Sequence, residues 1–322
     1  MFILHKYNDQ NKSIWDQFVL SGNNGTIFHL RKFLNYHPKD RFQDHSILVK
    51  KKQNLFSVFP AAELIEDGKR ILVSHPGSTV GSFVVPENVS IADALSMSEY
   101  LVAYVKENNF SEIRITLPPT LYQRRLSNYM DFSFFKQGFT YLKRDVTSIL
   151  FLEDSLEKNL AKFKSSHLRA VKNAQEKGVH VRQSNDFDSF YHILEQNLKI
   201  RHGVSPTHTL AELKNIHAIF PDRINLFAAF VKNAMVAGVV NFVVNDHVVL
   251  AFYISHDEAY QEFRAVNLLF YSIFDWAIQQ GFKIYDFGIF TVNEEPNMGL
   301  GRFKENFGAS GIFRDTIELK LN

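Results

Sequence analysis

The residues best suited to polar chemistry lie close to the C-terminus. A strand-like run, Lys283–Ile289, is rich in Tyr and Phe, and the glycine-punctuated segment Gly299–Gly308 follows it. In that segment the basic residues Arg302 and Lys304 alternate with phenylalanine. Basic side chains held by neighbouring rings can bind an anionic substrate or a developing oxyanion. The same pattern is also typical of a solvated amphipathic helix whose Phe residues pack inward.

Proton transfer has one candidate in the same run. Asp286 ends a predicted sheet strand and is a candidate general base, with Tyr285 beside it as a candidate substrate-binding residue. A capping or ion-pairing Asp fits the sequence equally well. The proton could also leave through the substrate itself or through a chain of waters.

A second candidate site lies where a strand meets a helix. The run His247–Ser255 leads through a polar loop, His256–Arg264, into a helix predicted to begin near Ala265. A helix N-terminus offers unpaired N–H groups and a positive dipole end, which suit a phosphate or an oxyanion. The loop lacks the glycines that allow a backbone to wrap a pyrophosphate, so an ordinary connection is the alternative.

Metal and thiol chemistry are not expected. The chain has no cysteine, which excludes thiol nucleophiles, iron–sulfur clusters and Cys-type zinc sites. Its 13 histidines are scattered. The nearest groupings, His202 with His208 and His247 with His256, lack ligand spacing on one helix face, and we predict no metal site.

The elements that position these residues repeat once along the chain. Each half shows three strand-like runs, then an amphipathic helix, then another strand. The first half comprises His45–Lys51, Leu55–Ile65, Arg70–Ser74, the helix 91–108 and Glu112–Leu117; the second comprises Ile224–Val231, Met235–Val244, His247–Ser255, the helix 265–280 and Lys283–Ile289. The order predicts two α/β units with mixed sheets and a cleft between them, and one continuous mixed sheet is the alternative.

A long basic helix is predicted between the halves. It begins after Ser155 and runs to about Lys177, with Gly178 as its stop. Further helices are expected over 188–200 and 210–220. RNA binding through the basic helix is an alternative, but the helix carries a single aromatic residue, Phe163, and no stacking platform.

Composition indicates a soluble globular protein. The 322 residues are 45% hydrophobic and 22% charged, and 36 Lys and Arg balance 34 Asp and Glu to a net charge of +2. This balance argues against DNA or RNA as the main partner. The longest apolar stretch, Ala234–Val244, is too short for a membrane span, and the N-terminus lacks the pattern of a signal peptide. We therefore expect a cytoplasmic protein.

Several motifs together resemble the FemABX family and its BioF-like acyltransferase relatives in the GNAT superfamily. The C-terminal signature is Gly281-Phe-Lys-Ile-Tyr-Asp-Phe-Gly, followed by Arg302-Phe-Lys-Glu-Asn-Phe-Gly. Three further pieces agree in order: Gly25-Thr-Ile-Phe-His, Arg169-Ala-Val-Lys-Asn-Ala-Gln-Glu-Lys-Gly-Val and Arg201-His-Gly. The set spans nearly the whole chain.

The resemblance implies two tandem GNAT-like domains, 1–145 and 146–322, with the active site in the second. It implies an N-acyltransferase that moves an acyl or aminoacyl group from acyl-CoA or aminoacyl-tRNA to an amine. The amine would lie on a cell-envelope precursor such as peptidoglycan, an amino sugar or an amino-lipid. Two departures leave the donor open: Tyr260-Gln-Glu-Phe-Arg-Ala-Val-Asn has no glycine, and the coiled-coil insertion of some FemABX members is absent.

The resemblance also implies site residues. Lys304 and Phe303 match the family's catalytic Lys and the Phe beside it, with the Lys ammonium stabilising the oxyanion or leaving group. Tyr253 is similar to a substrate-contacting Tyr, and Arg201 to a substrate-binding Arg. Arg302 joins them as a substrate-binding candidate. A GNAT-fold ligand-binding protein without catalytic activity, which has lost donor binding, is the alternative.

Overall fold

The chain divides into two compact units, described separately below. The computed structural model describes the backbone of residues 1–38, 40–202, 205–292 and 294–321, and their side chains except those of 200–202 and 292. Unit 1 consists of Met1–Asp145 together with Phe313–Asn322, and unit 2 of Val146–Ile312. The last ten residues thus group with unit 1, whereas the sequence reading assigns them to the second domain.

Unit 1 contains most of the first half of the chain. Its helices and strands, in chain order, are β1 (Phe2–Lys6), α1 (Lys12–Ser21), α2 (Arg31–Leu34), β2 (Gln43–Asp44), β3 (Ile47–Lys51), β4 (Asn54–Phe59), β5 (Ala62–Glu66), β6 (Lys69–Val73), α3 (Ile91–Glu107), β7 (Glu112–Thr116), α4 (Tyr129–Lys136) and the start of β8 (Thr140–Phe151). The strands β1, β3 and β4 form one antiparallel sheet. A second sheet has the order β2-β5-β6-β7, and the chain's last strand is antiparallel to β7.

Unit 2 carries the motifs singled out by the sequence. After β8 its elements are α5 (Leu156–Leu160), α6 (Ser165–Glu176), β9 (Val179–Ser184), α7 (Phe187–His202), α8 (Leu210–Ile219), β10 (Ile224–Val231), β11 (Ala234–Val243), β12 (Val248–His256), α9 (Ala265–Gln279), β13 (Ile284–Ile289), β14 (Thr291–Val292), β15 (Glu295–Pro296), α10 (Met298–Glu305) and the start of β16 (Ser310–Lys320). The strand order is β8-β13-β12-β11-β10-β9.

Each unit contains one parallel strand pair joined by a helix. In unit 1, α3 connects β6 to the parallel strand β7; in unit 2, α9 connects β12 to the parallel strand β13. The other pairs within each unit are antiparallel. This confirms the predicted mixed α/β class and its repeat, because antiparallel strands followed by a helix and a parallel strand recur at the expected places.

Each unit also buries its own apolar core. In unit 1, α3 contributes Met97 and Leu101, both fully buried. In unit 2, Ile273 and Phe274 of α9 are fully buried. Among the described residues, no helix has both the length and the apolar character needed to cross a bilayer.

Two predicted elements are wrong in extent. The helix expected from Ser155 to Lys177 is interrupted between α5 and α6, where the Lys164 N–H bonds the Asn306 carbonyl at 2.9 Å. Buried Phe163 packs there against Phe307, with ring centroids 5.0 Å apart. The strand expected over 55–65 is two strands, because Pro60 between β4 and β5 cannot donate to a ladder.

Candidate active site

Lys304 lies inside unit 2 and not in solvent. It is on α10 and is 1% exposed. Its Nζ donates to two backbone carbonyls of β13, those of Gly288 at 2.6 Å and Ile289 at 2.8 Å. A buried ammonium requires such acceptors, because leaving its charge unsolvated is costly. Lys304 therefore fixes the end of β13 and brings a positive charge to it.

The end of β13 is bent by a bulge. The register against β8 shifts between Asp286 and Ile289, and Gly288 has φ +76°. Asp286 is fully buried, and its Oδ1 accepts from the Gly288 N–H at 2.7 Å and from the Thr147 hydroxyl. Asp286 and Lys304 therefore bind opposite ends of the short segment around Gly288. The carboxylate and the ammonium thus bond the two peptide groups that flank Gly288, and their opposite charges favour each other.

The strands β12 and β13 separate just before this bulge. Their parallel register covers three pairs only, ending with Leu250 opposite Asp286, although β12 continues to His256. On its other side, β12 has a bulge at Phe252, because Val240 pairs with Tyr253 but Asn241 pairs with Ala251. Backbone groups along the separated edge of β12 have no ladder partner on β13. They can bind a ligand that lies between the strands.

The N-terminus of α9 is next to the end of β12 in the chain and is uncapped. Arg264 precedes the helix with a left-handed backbone, φ +54°, so the turn forms without the glycine that the sequence lacks. No side chain caps the helix and its first turn has no acidic residue. In unit 1, by contrast, Ser90 caps α3 and Asp93 lies in its first turn. Of these two helix ends, the α9 end is the one that retains the features of an anion site.

Asn267 adds an unused donor at this helix end. It lies in the first turn of α9, is 7% exposed, and its Nδ2 has no hydrogen-bond partner among the described residues. Helical side chains lean toward the helix N-terminus, so this amide lies beside the free backbone N–H groups. An unsatisfied buried amide costs about 1–3 kcal/mol, which a bound acceptor atom would recover.

His167 of α6 connects α10 with Arg264. Its ring bonds the Phe303 carbonyl, and it interacts electrostatically with Arg264. The other ring nitrogen, Nε2, is buried and has no partner among the described residues. Burial lowers the pKa of His167, an effect that the bond to Phe303 opposes. The imidazole is therefore neutral at pH 7, with Nε2 available to a ligand.

The hydroxyl of Tyr253 is held by the segment before α8. It accepts from the His208 N–H at 3.1 Å and lies 2.8 Å from His208 Nδ1. Tyr191 in turn donates to the His208 carbonyl at 3.0 Å. Burial raises the pKa of Tyr253 to about 12, while the bonds from His208 and Thr207 lower it. The group stays protonated at neutral pH and can donate to an acceptor atom.

Tyr285 belongs to the core. It is fully buried among Phe270, Phe274 and Phe287, and its hydroxyl donates to Asn241 Oδ1 at 2.6 Å. Burial raises its pKa well above the usual value, with the neighbouring carboxylate adding to the effect. Contact with a substrate, as the sequence predicted, would require this core to open.

The remaining predicted residues take different places. Phe303 is half-buried, with its ring 5.1 Å from Phe307, and Arg302 is exposed on α10. Arg201 lies in the last turn of α7, and its side chain lies outside the described residues. Within the described part of the chain, no group of three or more His, Asp or Glu could hold a metal ion.

The sequence reading missed three polar contributors: Thr147, His167 and Asn267. Asn267 carries a detectable signal, because it is a polar residue within the apolar run of α9. His167 and Thr147 carry none. A single His on a polar helix and a Thr in a strand become informative only when tertiary structure brings them to Phe303 and Asp286.

Comparison with known proteins identifies the second unit. Residues 161–305 match the family described as Acetyltransferase (GNAT) domain. No protein of curated function matches the sequence.

Solved structures share the fold of the whole chain. FemX is 14% identical with a TM-score of 0.76, over 99% of this chain and 98% of its own. A tandem GNAT protein from the clavulanic acid biosynthesis pathway is 10% identical with a TM-score of 0.58, over 99% and 98%. L-PGS from Bacillus licheniformis is 12% identical with a TM-score of 0.58, over 99% and 94%. Residues 161–305 therefore match a GNAT acetyltransferase domain, and the whole chain shares the fold of FemX and of the tandem GNAT protein.

Proposed function

We propose that this acyltransferase moves an acyl or aminoacyl group from acyl-CoA or aminoacyl-tRNA to an amine on a cell-envelope precursor. The observation that carries the proposal is the opening between β12 and β13, beside the uncapped N-terminus of α9. The motifs that resemble FemABX acyltransferases support the envelope acceptor. Both donor classes are made in the cytoplasm, where we propose that the enzyme acts.

The donor binds along the separated edge of β12. Its phosphates approach the α9 N-terminus, where the backbone N–H groups of the uncapped first turn, the Asn267 amide and Arg264 offer donors and positive charge. Both donor classes carry phosphates, so the shared requirement is an anion at this helix end. His167 Nε2, the acceptor nitrogen of the neutral ring, can take a hydrogen bond from a donor group of the ligand on the α6 side, and not from its phosphates.

The reaction joins the acceptor nitrogen to the donor carbonyl carbon. A neutral amine attacks, the C–N bond forms, and the C–S bond of acyl-CoA or the C–O bond of aminoacyl-tRNA breaks. The amine proton leaves with the thiol or hydroxyl product. The positive charge of Lys304 favours the negative charge that develops on the carbonyl oxygen or leaving group.

Asp286 is a positioning residue in this proposal. It is fully buried, and its Oδ1 accepts from Gly288 and Thr147, so it does not reach a substrate amine. It holds the bulge that presents two carbonyls to Lys304. Tyr253 and Arg302 remain the proposed acceptor contacts: a protonated hydroxyl and an exposed cation suit an amine substrate that carries anionic groups.

Turnover with a panel of amines tests the proposal. The full chain is incubated with acyl-CoAs or aminoacyl-tRNA and with envelope-type amines, and new amide masses are followed by mass spectrometry. Lys304→Met should lower turnover about 10²-fold. Lys69→Met, an exposed unit 1 lysine, is the matched control and should change nothing. Donor binding without turnover for every pair would instead indicate a ligand-binding protein.

The donor site has its own test. Asn267→Leu keeps the branching and the number of side-chain heavy atoms but removes the unused amide. We expect it to raise the KM for the donor, leave the KM for the amine unchanged, and stabilise the fold by about 1 kcal/mol. An unchanged donor KM would remove Asn267 from the site without affecting the assignment of Lys304.

A further inference from the structure

Unit 1 exposes a cluster of large apolar side chains around α4. Leu126, Tyr129 and Phe132 lie within seven residues of one another, and Leu20 is tied to the same segment. All four are between 45% and 63% exposed. Scattered exposed apolar residues are ordinary, but a contiguous group marks an interaction surface.

The local fold fixes this arrangement. Tyr129 and Phe132 are three residues apart on one face of α4, whereas Met130 and Phe134 on the other face are buried. The Arg124 guanidinium donates to the Leu20 carbonyl at 2.9 Å, which brings the end of α1 beside the loop before α4.

Asn23 also holds the loop before α4 in place. Its side chain donates to the Arg125 carbonyl at 2.9 Å and accepts from the Arg125 N–H at 2.8 Å. These hydrogen bonds therefore fix the loop that precedes α4 and the end of α1, which carry or adjoin the exposed apolar side chains.

Basic residues surround the cluster. Arg124, Arg125 and Lys136 are exposed, whereas the one acid of α4, Asp131, is half-buried and lines a recess with Asn23. The whole chain has a net charge of only +2, so the excess of positive charge is local to the surface around α4. We call the four apolar and three basic residues the α4 patch: Leu20, Leu126, Tyr129, Phe132, Arg124, Arg125 and Lys136.

We propose that the α4 patch docks the protein on an anionic lipid surface. Aromatic and aliphatic side chains enter the headgroup region, and Tyr suits that boundary because its ring is apolar and its hydroxyl polar. Basic residues at the rim attract anionic lipid headgroups. Four half-exposed side chains offer roughly 400 Å² of apolar area, about half of what one partner of a stable protein dimer buries.

Vesicle co-sedimentation of the full chain tests the docking. Binding is expected with vesicles of phosphatidylcholine mixed with phosphatidylglycerol, and not with phosphatidylcholine alone. It should weaken between about 0.1 M and about 1 M salt, as the screening length falls from about 10 Å to about 3 Å. No binding to anionic vesicles, or equal binding to neutral ones, would overturn the proposal.

Two pairs of variants separate the apolar and basic contributions. Tyr129→Ser with Phe132→Ser should abolish binding, while the matched control Ile65→Ser on β5 should not. Arg125→Gln with Lys136→Gln should weaken binding about 25-fold, since each basic residue contributes about fivefold. The control pair Lys69→Gln with Lys106→Gln should leave it unchanged.

Two further measurements complete the test. Thermal unfolding of each variant shows that the fold is retained. Analytical ultracentrifugation asks whether the patch joins two copies of the chain: a dimer that dissociates in the Tyr129→Ser, Phe132→Ser variant would replace the lipid by a second copy and overturn the proposal. The inference does not depend on the proposed acyl transfer.

Discussion

At the scale of residues, the site is organised by two buried opposite charges that bond the same residue, Gly288. Asp286 accepts the N–H of Gly288, and Lys304 donates to its carbonyl. In the sequence, Lys304 and Phe303 are candidates because they resemble a known pattern, and Asp286 is one because it ends a predicted sheet strand. The sequence could not show that Asp286 is fully buried, since burial depends on β8, which is distant in sequence.

The two charges should therefore be energetically coupled. Asp286→Asn keeps an acceptor for Gly288 but removes a buried negative charge that favours the Lys304 ammonium, and we expect a loss of about 2 kcal/mol in the free energy of unfolding. The double variant with Lys304→Met should lose at least about 1 kcal/mol less than the sum of the single variants. Urea unfolding measures this cycle, and strictly additive losses would contradict the coupling.

Asp131 in unit 1 predicts a dependence of stability on pH. Burial, together with the nearby Asp315 carboxylate, raises the pKa of Asp131 to about 6. A folded-state pKa above the unfolded value means that ionisation opposes folding at neutral pH, and that the penalty vanishes once the group is protonated in both states. Asp131→Asn should therefore stabilise unit 1 by about 1–2 kcal/mol at pH 7, after discounting for its partial exposure.

The gain from Asp131→Asn should shrink as the pH falls through 6 and disappear below about 4, near the ordinary pKa of Asp. Thermal unfolding across this range checks it, with the exposed Asp222→Asn of unit 2 as the control. A gain that persisted at pH 3 would mean that repacking, and not charge, is responsible.

At the scale of elements, periodicity predicted the strands β10 to β13 and the helix α9 to within about two residues. It failed for the helix expected after Ser155. That helix is interrupted between α5 and α6, where Phe163 lies outside both helices and packs against Phe307 in the core. Periodicity also did not reveal the bulge in β13. A bulge depends on hydrogen bonds from Asp286 and Lys304, which no local pattern contains.

The β13 bulge gives a prediction with a close control. Gly288 and Gly281 both have positive φ, +76° and +82°. An added Cβ at Gly288 would meet only the Ala251 carbonyl, at 3.5 Å, and one at Gly281 would meet nothing within 4 Å. Changing either to Ala should cost about 1–2 kcal/mol of backbone strain.

The two glycine variants should differ in activity. Gly288→Ala strains the segment whose carbonyl holds Lys304, so acyl transfer should fall about tenfold or more, equivalent to about 1.4 kcal/mol in the barrier. Gly281→Ala strains the end of α9 alone and should leave transfer unchanged. Equal activity in the two variants would show that the β13 bulge does not affect acyl transfer.

At the scale of the whole molecule, the repeated order of strands and helix was enough to predict two α/β units, and the family resemblance added that they are GNAT-like. The sequence did not show that unit 1 is completed by the chain's last strand. In β16, Thr316 pairs with Thr116 and Ile317 with Ile115, and Ile317 is fully buried in the unit 1 core. Local pattern cannot name a strand partner so distant in sequence, because pairing there is decided by the fold.

This closure makes the end of the chain a stability element of unit 1. Ile317→Ala should cost about 2–4 kcal/mol, and hydrogen exchange should quicken in β6 and β7. Ile273→Ala, an equally buried residue of α9, should quicken exchange in β10 to β12 instead. Exchange resolved by mass spectrometry distinguishes the two, since local openings report the unit that a side chain stabilises. If Ile317→Ala instead loosened β10 to β12 as much as β7, the last strand would support both units and not the first alone.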